Sequence, residues 1–149
     1  MSSDQNRLPE RLQEIVEEFE WSEGREKVEL LIDYAGRMPE MPAEIRQQPD
    51  RCEPIEECMT PVLVFAEYLN NRMTFYFDVP PESPTVRGLA AIMADGLNGS
   101  APEEVLSIPR DFYQPMGLEQ VLTMQRLNGF TAILAHMKRL AAQAMEGKA

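Results

Sequence analysis

With 149 residues the chain fits one domain around one core, a size that needs neither disulfides nor a metal to stand up. Fourteen Lys and Arg against 25 Asp and Glu leave a formal charge of −11, a field that repels phosphate backbones and anionic lipid and so excludes nucleic acid and membrane surfaces as partners. At 44% hydrophobic residues the chain is too apolar for a disordered acidic tail, and its uninterrupted apolar runs, such as Val62 to Ala66, fall far short of the ~20 residues that span a bilayer.

Residues 1–7 hold no apolar signal core and are too acidic for a transit peptide, which implies a cytoplasmic location. A single domain over 1–149 is expected, with flexible tails at 1–7 and 145–149. Leu8, Leu12, Ile15, Val16 and Phe19 share one helical stripe, and Pro9 stands at an early position where its missing N–H costs nothing. Ser22 can cap a second helix carrying Val28, Leu31, Ile32 and Ala35, which Gly36, Pro39 and Pro42 end. The two helices read as a helical hairpin. From Gly36 to Pro61 the chain holds Pro39, Pro42, Pro49, Pro54 and both cysteines, so regular structure there is short or absent.

Val62 to Tyr68, then Asn70-Asn71, then alternating Met73, Phe75, Phe77 and Val79 predict a β-hairpin over Val62–Val79, since Asn tolerates positive φ. A further short strand ahead of it has room to form. Ser83 and Pro84 open a helix carrying Val86, Leu89, Ile92, Met93 and Leu97, closed by Asn98-Gly99. Ser100 and Glu103 have capping-box spacing for a short helix through Leu106, and one more helical turn between Pro109 and Met116 stops at Gly117. Leu127, Phe130, Ile133, Leu134, Met137, Leu140, Ala141 and Ala144 make the longest helix, from about Thr123 to Met145. Helices and strands are segregated in sequence, which gives an α+β class with a small antiparallel sheet covered by helices.

The chain has no phosphate-binding glycine loop, no H-E-x-x-H and no G-x-S-x-G, and one histidine removes most triad mechanisms. Two cysteines and one histidine assemble no ordinary zinc site. Cys58, just before the first hairpin strand, is placed for a surface nucleophile, although a cysteine is as a rule a small buried hydrophobe. Glu53, Glu56 and Glu57 should raise its pKa, so reactivity would need a cation from the fold or a partner. Cys52 reads as a free surface thiol, with a disulfide or resolving role toward Cys58 as the alternative. His136 reads as a half-exposed residue of the last helix. Asn128, Gly129 and Gly88 read as packing or turn residues. Met38, Met41 and Met59 offer soft interface surface.

Glu57-Cys58-Met59-Thr60-Pro61-Val62 entering a hairpin, then Thr85-Val86-Arg87-Gly88-Leu89, Asn98-Gly99-Ser100-Ala101-Pro102-Glu103-Glu104-Val105 and Leu122-Thr123-Met124-Gln125-Arg126-Leu127-Asn128-Gly129, resemble in order and spacing the SufE family of sulfur-acceptor proteins. The turn from Gly36 to Pro42 is also similar, so the resemblance covers about residues 10 to 142. The family pattern G-C-Q-S-x-V is altered here to Glu57, Met59 and Thr60 at its Gly, Gln and Ser.

The resemblance implies a SufE/IscU-like fold and a persulfide carrier. In the family a pyridoxal-phosphate cysteine desulfurase, SufS, forms a persulfide, and the SufE cysteine takes the terminal sulfur, stimulates the desulfurase and passes sulfur to an Fe–S scaffold. Cys58 would be the acceptor, and Arg126 matches the arginine of the S/Q-R-x-N/Q-G block, where it would contact the cysteine loop or the partner. No cofactor of its own and no stand-alone activity are implied, with a monomeric or weakly dimeric chain. Cys58 should ride a mobile loop that tucks its sulfur among apolar side chains and swings out when docked. The alternatives are an Fe–S scaffold of the IscU type, which needs about three cysteine ligands where this chain has two, a non-catalytic acidic docking module, and a Cys52/Cys58 redox pair.

Overall fold

The computed structural model describes residues 8–147. The first stripe forms α1 (Glu10–Glu20), with Leu12, Ile15, Val16 and Phe19 buried. The second helix, α2 (Arg25–Ala35), starts later than a Ser22 cap would place it: Gly24 is its N-cap, and the Ser22 hydroxyl donates back to the Glu18 carbonyl. Its buried face is Lys27, Leu31, Tyr34 and Ala35, while Ile32 is exposed. The face rotates because the Lys27 ammonium donates to the Phe19 and Ser22 carbonyls at the C-terminal end of α1. Tyr34 enters the core and keeps its hydroxyl satisfied by donating to Glu18 at 2.6 Å.

The proline-rich stretch contains a single turn, α3 (Ala43–Arg46), a 3-10 turn at Pro49–Arg51 and a two-residue strand, β1 (Glu53–Pro54). β1 pairs antiparallel with β2 (Leu63–Leu69), which pairs with β3 (Arg72–Asp78) in the order β1-β2-β3. The hairpin turns at Asn70 and Asn71, with φ of 55° and 62°, the left-handed pair that suits the twist of a two-residue loop. The register places Phe77 opposite Val64 and Phe75 opposite Ala66, which makes the inner face of the sheet.

That face is covered by α4 (Pro84–Leu97), an apolar helix buried almost all round. Two glycines let its neighbours approach. A Cβ at Gly88 would lie 2.3 Å from the Leu31 carbonyl oxygen of α2, and one at Gly96 would lie 2.7 Å from Leu12 Cδ1 of α1. Arg11 of α1 adds a two-pronged contact to Asp95, at 3.0 and 2.9 Å.

After α4 the expected capping box is displaced by one residue. Ala101 is the N-cap of α5 (Pro102–Leu106), and its N–H donates to Glu104 rather than Ser100 pairing with Glu103. Ser100 is buried and gives its carbonyl to Met73 N–H, so it is committed to the edge of β3. Two 3-10 turns, Gln114–Met116 and Leu118–Gln120, meet at Gly117, whose φ is +68°. Phe112 and Tyr113 lead into them and pack on Phe130 at ring distances of 5.6 and 5.7 Å. α6 (Met124–Gly147) completes the fold. The tails expected at 1–7 and 145–149 fall outside the described residues except for 145–147, which continue α6. Among the described residues no helix is long and apolar enough to cross a membrane. The result is the α+β architecture that the segregation of helices and strands predicts.

The Gly88 contact sets a test. Ala would gain up to about 1 kcal/mol of helix propensity but meets carbonyl backbone that cannot rotate away, and overpacking of that kind costs about 1–3 kcal/mol or more. Gly88→Ala should therefore lower the melting temperature by several degrees in a thermal scan, a larger drop than Gly36→Ala, where a Cβ meets nothing nearer than 3.5 Å.

Candidate functional site around Cys58

The loop carrying Cys58 is pinched at its base. Glu53 and Pro54 pair with Val64 and Leu63, and Ile55 N–H donates to the Val62 carbonyl at 2.9 Å. Ile55 and Val62 are both buried, so they plug the excursion into the core. At its tip Cys58 N–H donates to the Ile55 carbonyl at 3.3 Å, closing a turn. Asn70 and Asn71 are the positive-φ non-glycine residues among those described, so Glu57 takes an ordinary backbone conformation where the family has glycine.

Three tethers lay the loop on the helices. Cys58 Sγ lies 3.8 Å from the Gly129 carbonyl of α6 as a weak donor. The Thr60 and Ser83 hydroxyls share a hydrogen bond at 3.2 Å, which spends Ser83 on the loop rather than on the end of α4. Glu57 accepts from His136 Nε2 at 3.0 Å. The other ring nitrogen, Nδ1, contacts Glu53, whose carboxylate also meets Arg139 at 3.5 Å.

Gly129 matters more than packing alone suggests. A Cβ there would sit 3.3 Å from Cys58 Sγ, so the glycine is what lets the sulfur lie against α6. Beside the sulfur is a cavity of about 30 Å³ lined by Val86, Leu89, Ile133, Met59, Gln125 and Arg126. Cys58 is half-buried and packs against the main core, whereas Met59 beside it is 77% exposed.

The thiol pKa is raised above its ordinary value. Burial is the largest cause, the Glu57 carboxylate adds to it, and the Arg126 guanidinium works in the opposite direction. Glu57 alone of the three neighbouring glutamates contributes, and Glu53 is turned to His136 and Arg139. At rest the site therefore holds a protonated, sheltered thiol, a poor nucleophile until the loop moves or a cation arrives.

Arg126 stands where its spacing puts it, on the first turns of α6 at the mouth of the cavity, with its N–H accepted by the Thr123 hydroxyl. Cys52 does not join the site. It is a free thiol in a separate groove with Arg51, Phe65, Arg139 and Gln143, and burial raises its pKa as well. Met41 is buried rather than presented as interface surface. Asn128 lines a further groove with Glu57, Arg110 and Lys138. His136 is a tether of the loop, not a bystander. The signal for it in the sequence is the i, i+4, i+7 stripe Gly129, Ile133, His136, the face of α6 turned to the loop. Among the described residues no three or more His, Cys, Asp or Glu side chains gather to hold a metal ion.

A family model described as "SufE: Fe-S metabolism associated domain" matches residues 13–141. A SufE-like protein of Mycobacterium tuberculosis is 35% identical over 138 residues, spanning 92% of this chain and 95% of the relative. A Plasmodium vivax protein named cysteine desulfuration protein SufE is 35% identical over 60 residues, 40% of this chain and 25% of that protein. The solution structure of a hypothetical protein from Thermus thermophilus superposes with a TM-score of 0.83 at 32% identity, over 94% of this chain and 99% of that one.

The electrostatics set a test in a Cys52→Ser background. The rate of Cys58 alkylation should reach half its maximum above the ordinary thiol pKa of 9.0. Arg126→Gln should push that midpoint higher and slow alkylation near neutral pH by roughly two- to fivefold, the scale of an exposed charge interaction.

Proposed function

This chain belongs to the SufE family, and we propose that it is a sulfur acceptor whose Cys58 takes the terminal sulfur of a persulfide made by a cysteine desulfurase. It stimulates that enzyme by removing its product and relays the sulfur toward Fe–S cluster assembly. The description of the family model ties it to Fe–S metabolism, and the Plasmodium relative is named for cysteine desulfuration. We further propose that the chain uses no cofactor of its own and that the pyridoxal phosphate stays with the desulfurase.

The observation that carries the reading is the cavity against Cys58 Sγ. At about 30 Å³ it is a space on the scale of a single water, so it suits one added atom. Its lining by Val86, Leu89 and Ile133 suits a soft sulfur better than water. A persulfide there is screened from stray thiols, and a thiol there is kept protonated.

The transfer is a thiol–persulfide exchange with no net oxidation. The Cys58 thiolate attacks the outer sulfur of the donor persulfide, a new S–S bond forms on Cys58, and the donor's S–S bond breaks. The donor cysteine leaves as a thiolate and takes up the proton that Cys58 gave up. Because burial and Glu57 hold that proton on Cys58, the loop must first leave α6, and a cation in the partner's site then completes the activation. A surface of net charge −11 is complementary to a basic mouth and speeds the encounter.

Incubation with a cysteine desulfurase and free cysteine should add the mass of one sulfur atom, placed on Cys58 by peptide mass spectrometry. Cys58→Ser should take up none and should not stimulate the desulfurase; a Cys58→Ser protein that stimulates as well as the parent sinks the reading. Gly129→Ala, which presses a methyl toward the sulfur, should still accept sulfur but lose it to a small thiol severalfold faster, as followed by the decay of the mass-shifted species.

A further inference from the structure

Glu57 stands one residue before Cys58 and reaches across to α6, where His136 lies between it and Glu53 of β1. The imidazole thus faces carboxylates at both nitrogens, and a neutral ring has a single N–H to offer. Both contacts are donor-to-acceptor only when the ring is an imidazolium. We propose that His136 is a positioning residue for Cys58: its protonated ring latches Glu57 and Glu53 together across α6, and loss of that proton frees the cysteine loop. The proposal deepens the sulfur-acceptor reading and takes from it the need for the sulfur to leave its shelter.

The groups around the ring support a latch that titrates. Glu53, largely buried, faces it from β1 and is shared with Arg139 of α6 at 3.5 Å. Glu57, exposed, faces it from the loop. The groove on the Glu53 side adds Arg51, Cys52, Val64, Phe65 and Ala66, and the groove on the Glu57 side adds Arg110 and Lys138. Burial by itself would lower the ring's pKa; the hydrogen bonds to Glu53 and Glu57 outweigh it and raise the pKa above 6.5. The same bond is the largest cause of the lowered Glu57 pKa.

The sign follows from linkage. A histidine whose folded pKa is raised contributes stability that is fully present below its unfolded value and is lost as pH rises through the folded one. For Glu57, depressed on folding, the contribution is present above its unfolded value and lost as pH falls through the folded one. The latch is therefore strongest between the carboxylate range and the raised histidine value, and opens on the alkaline side.

Two of the three tethers do not titrate in this range. The Thr60–Ser83 bond and the Cys58–Gly129 contact hold the loop equally at either pH, so an alkaline release is assignable to His136. Because the chain has one histidine, its ring signals in a proton NMR titration are unambiguous.

The test uses the full chain in a Cys52→Ser background without any desulfurase, and reads the rate of Cys58 alkylation by iodoacetamide. His136→Gln should react about fivefold faster than the parent near pH 6, a ratio set by a partly exposed charge pair, and the two rates should converge near pH 9. Removing the imidazolium leaves Glu57 less neutralised, which by charge alone would slow the thiol, so a faster rate reports exposure. His136→Arg, a permanent cation with a forked donor set, should stay protected at both pH values. In the NMR titration the ring of the parent should titrate above 6.5 and fall back toward it in Glu57→Gln. A His136→Gln to parent ratio that is near one throughout, or that is the same at both pH values, overturns the latch, as does a ring titrating at or below the ordinary value. None of these readouts requires sulfur transfer, so an intact latch with no sulfur uptake would refute the acceptor reading alone.

Discussion

The backbone contact between α4 and α2 at Gly88 is the constraint on which the site is built. With the Leu31 carbonyl 2.3 Å from where a Cβ would be, α4 lies deep between the helical hairpin and the sheet and exposes almost none of its surface. One side of its N-terminal half faces the cysteine loop and α6. Ser83, Val86 and Leu89 emerge on that side, so the tether for Thr60 and two walls of the sulfur cavity are set by packing on the far side of the helix.

Opposing electrostatic effects meet at Cys58. The whole chain is acidic, and the nearest charge, Glu57, disfavours a thiolate that burial already disfavours. Arg126 offsets this only in part from its exposed position. The same Glu57 is bound to His136, so one carboxylate both quiets the thiol and anchors its loop. A thiol kept neutral and enclosed suits a carrier that must not react with small thiols between encounters, whereas an enzyme that attacks freely diffusing substrates needs its thiolate exposed at rest. Glu57, where the family pattern has glycine, thus ties the Cys58 loop to α6 in this chain without a left-handed backbone angle.

Local signals carried much of the fold. Asn70-Asn71 between an apolar run and an alternating one gave the hairpin. Pro84 after Ser83, and the apolar run behind it, placed α4. Where local signals misled, another partner had claimed the group: Ser22 and Ser100 look like helix caps, yet the Ser22 hydroxyl donates four residues back into α1 and the Ser100 carbonyl is tied to Met73 of the sheet. Lys27 looks like a solvated residue until the Phe19 and Ser22 carbonyls are brought to it. Cys58 and Arg126 were legible through motif spacing, and the structure brings both to one cavity.

The order of the main elements, the α+β class and most of the faces that enter the core were determined by the sequence alone, because each rests on periodicity or on turn chemistry within about ten residues; the candidate thiol was marked by its place ahead of the hairpin and by the motif around it. Tertiary structure decided what surrounds that thiol. The Cys58–Gly129, Glu57–His136 and Glu53–His136 contacts join residues 71, 79 and 83 positions apart. Pairings at such separations depend on where α6 lies against β1 and its loop, and neither helical nor strand periodicity encodes that placement. Hence a histidine on the margin of an apolar stripe became a clamp, and a glycine that reads as a turn residue became the surface on which the sulfur rests.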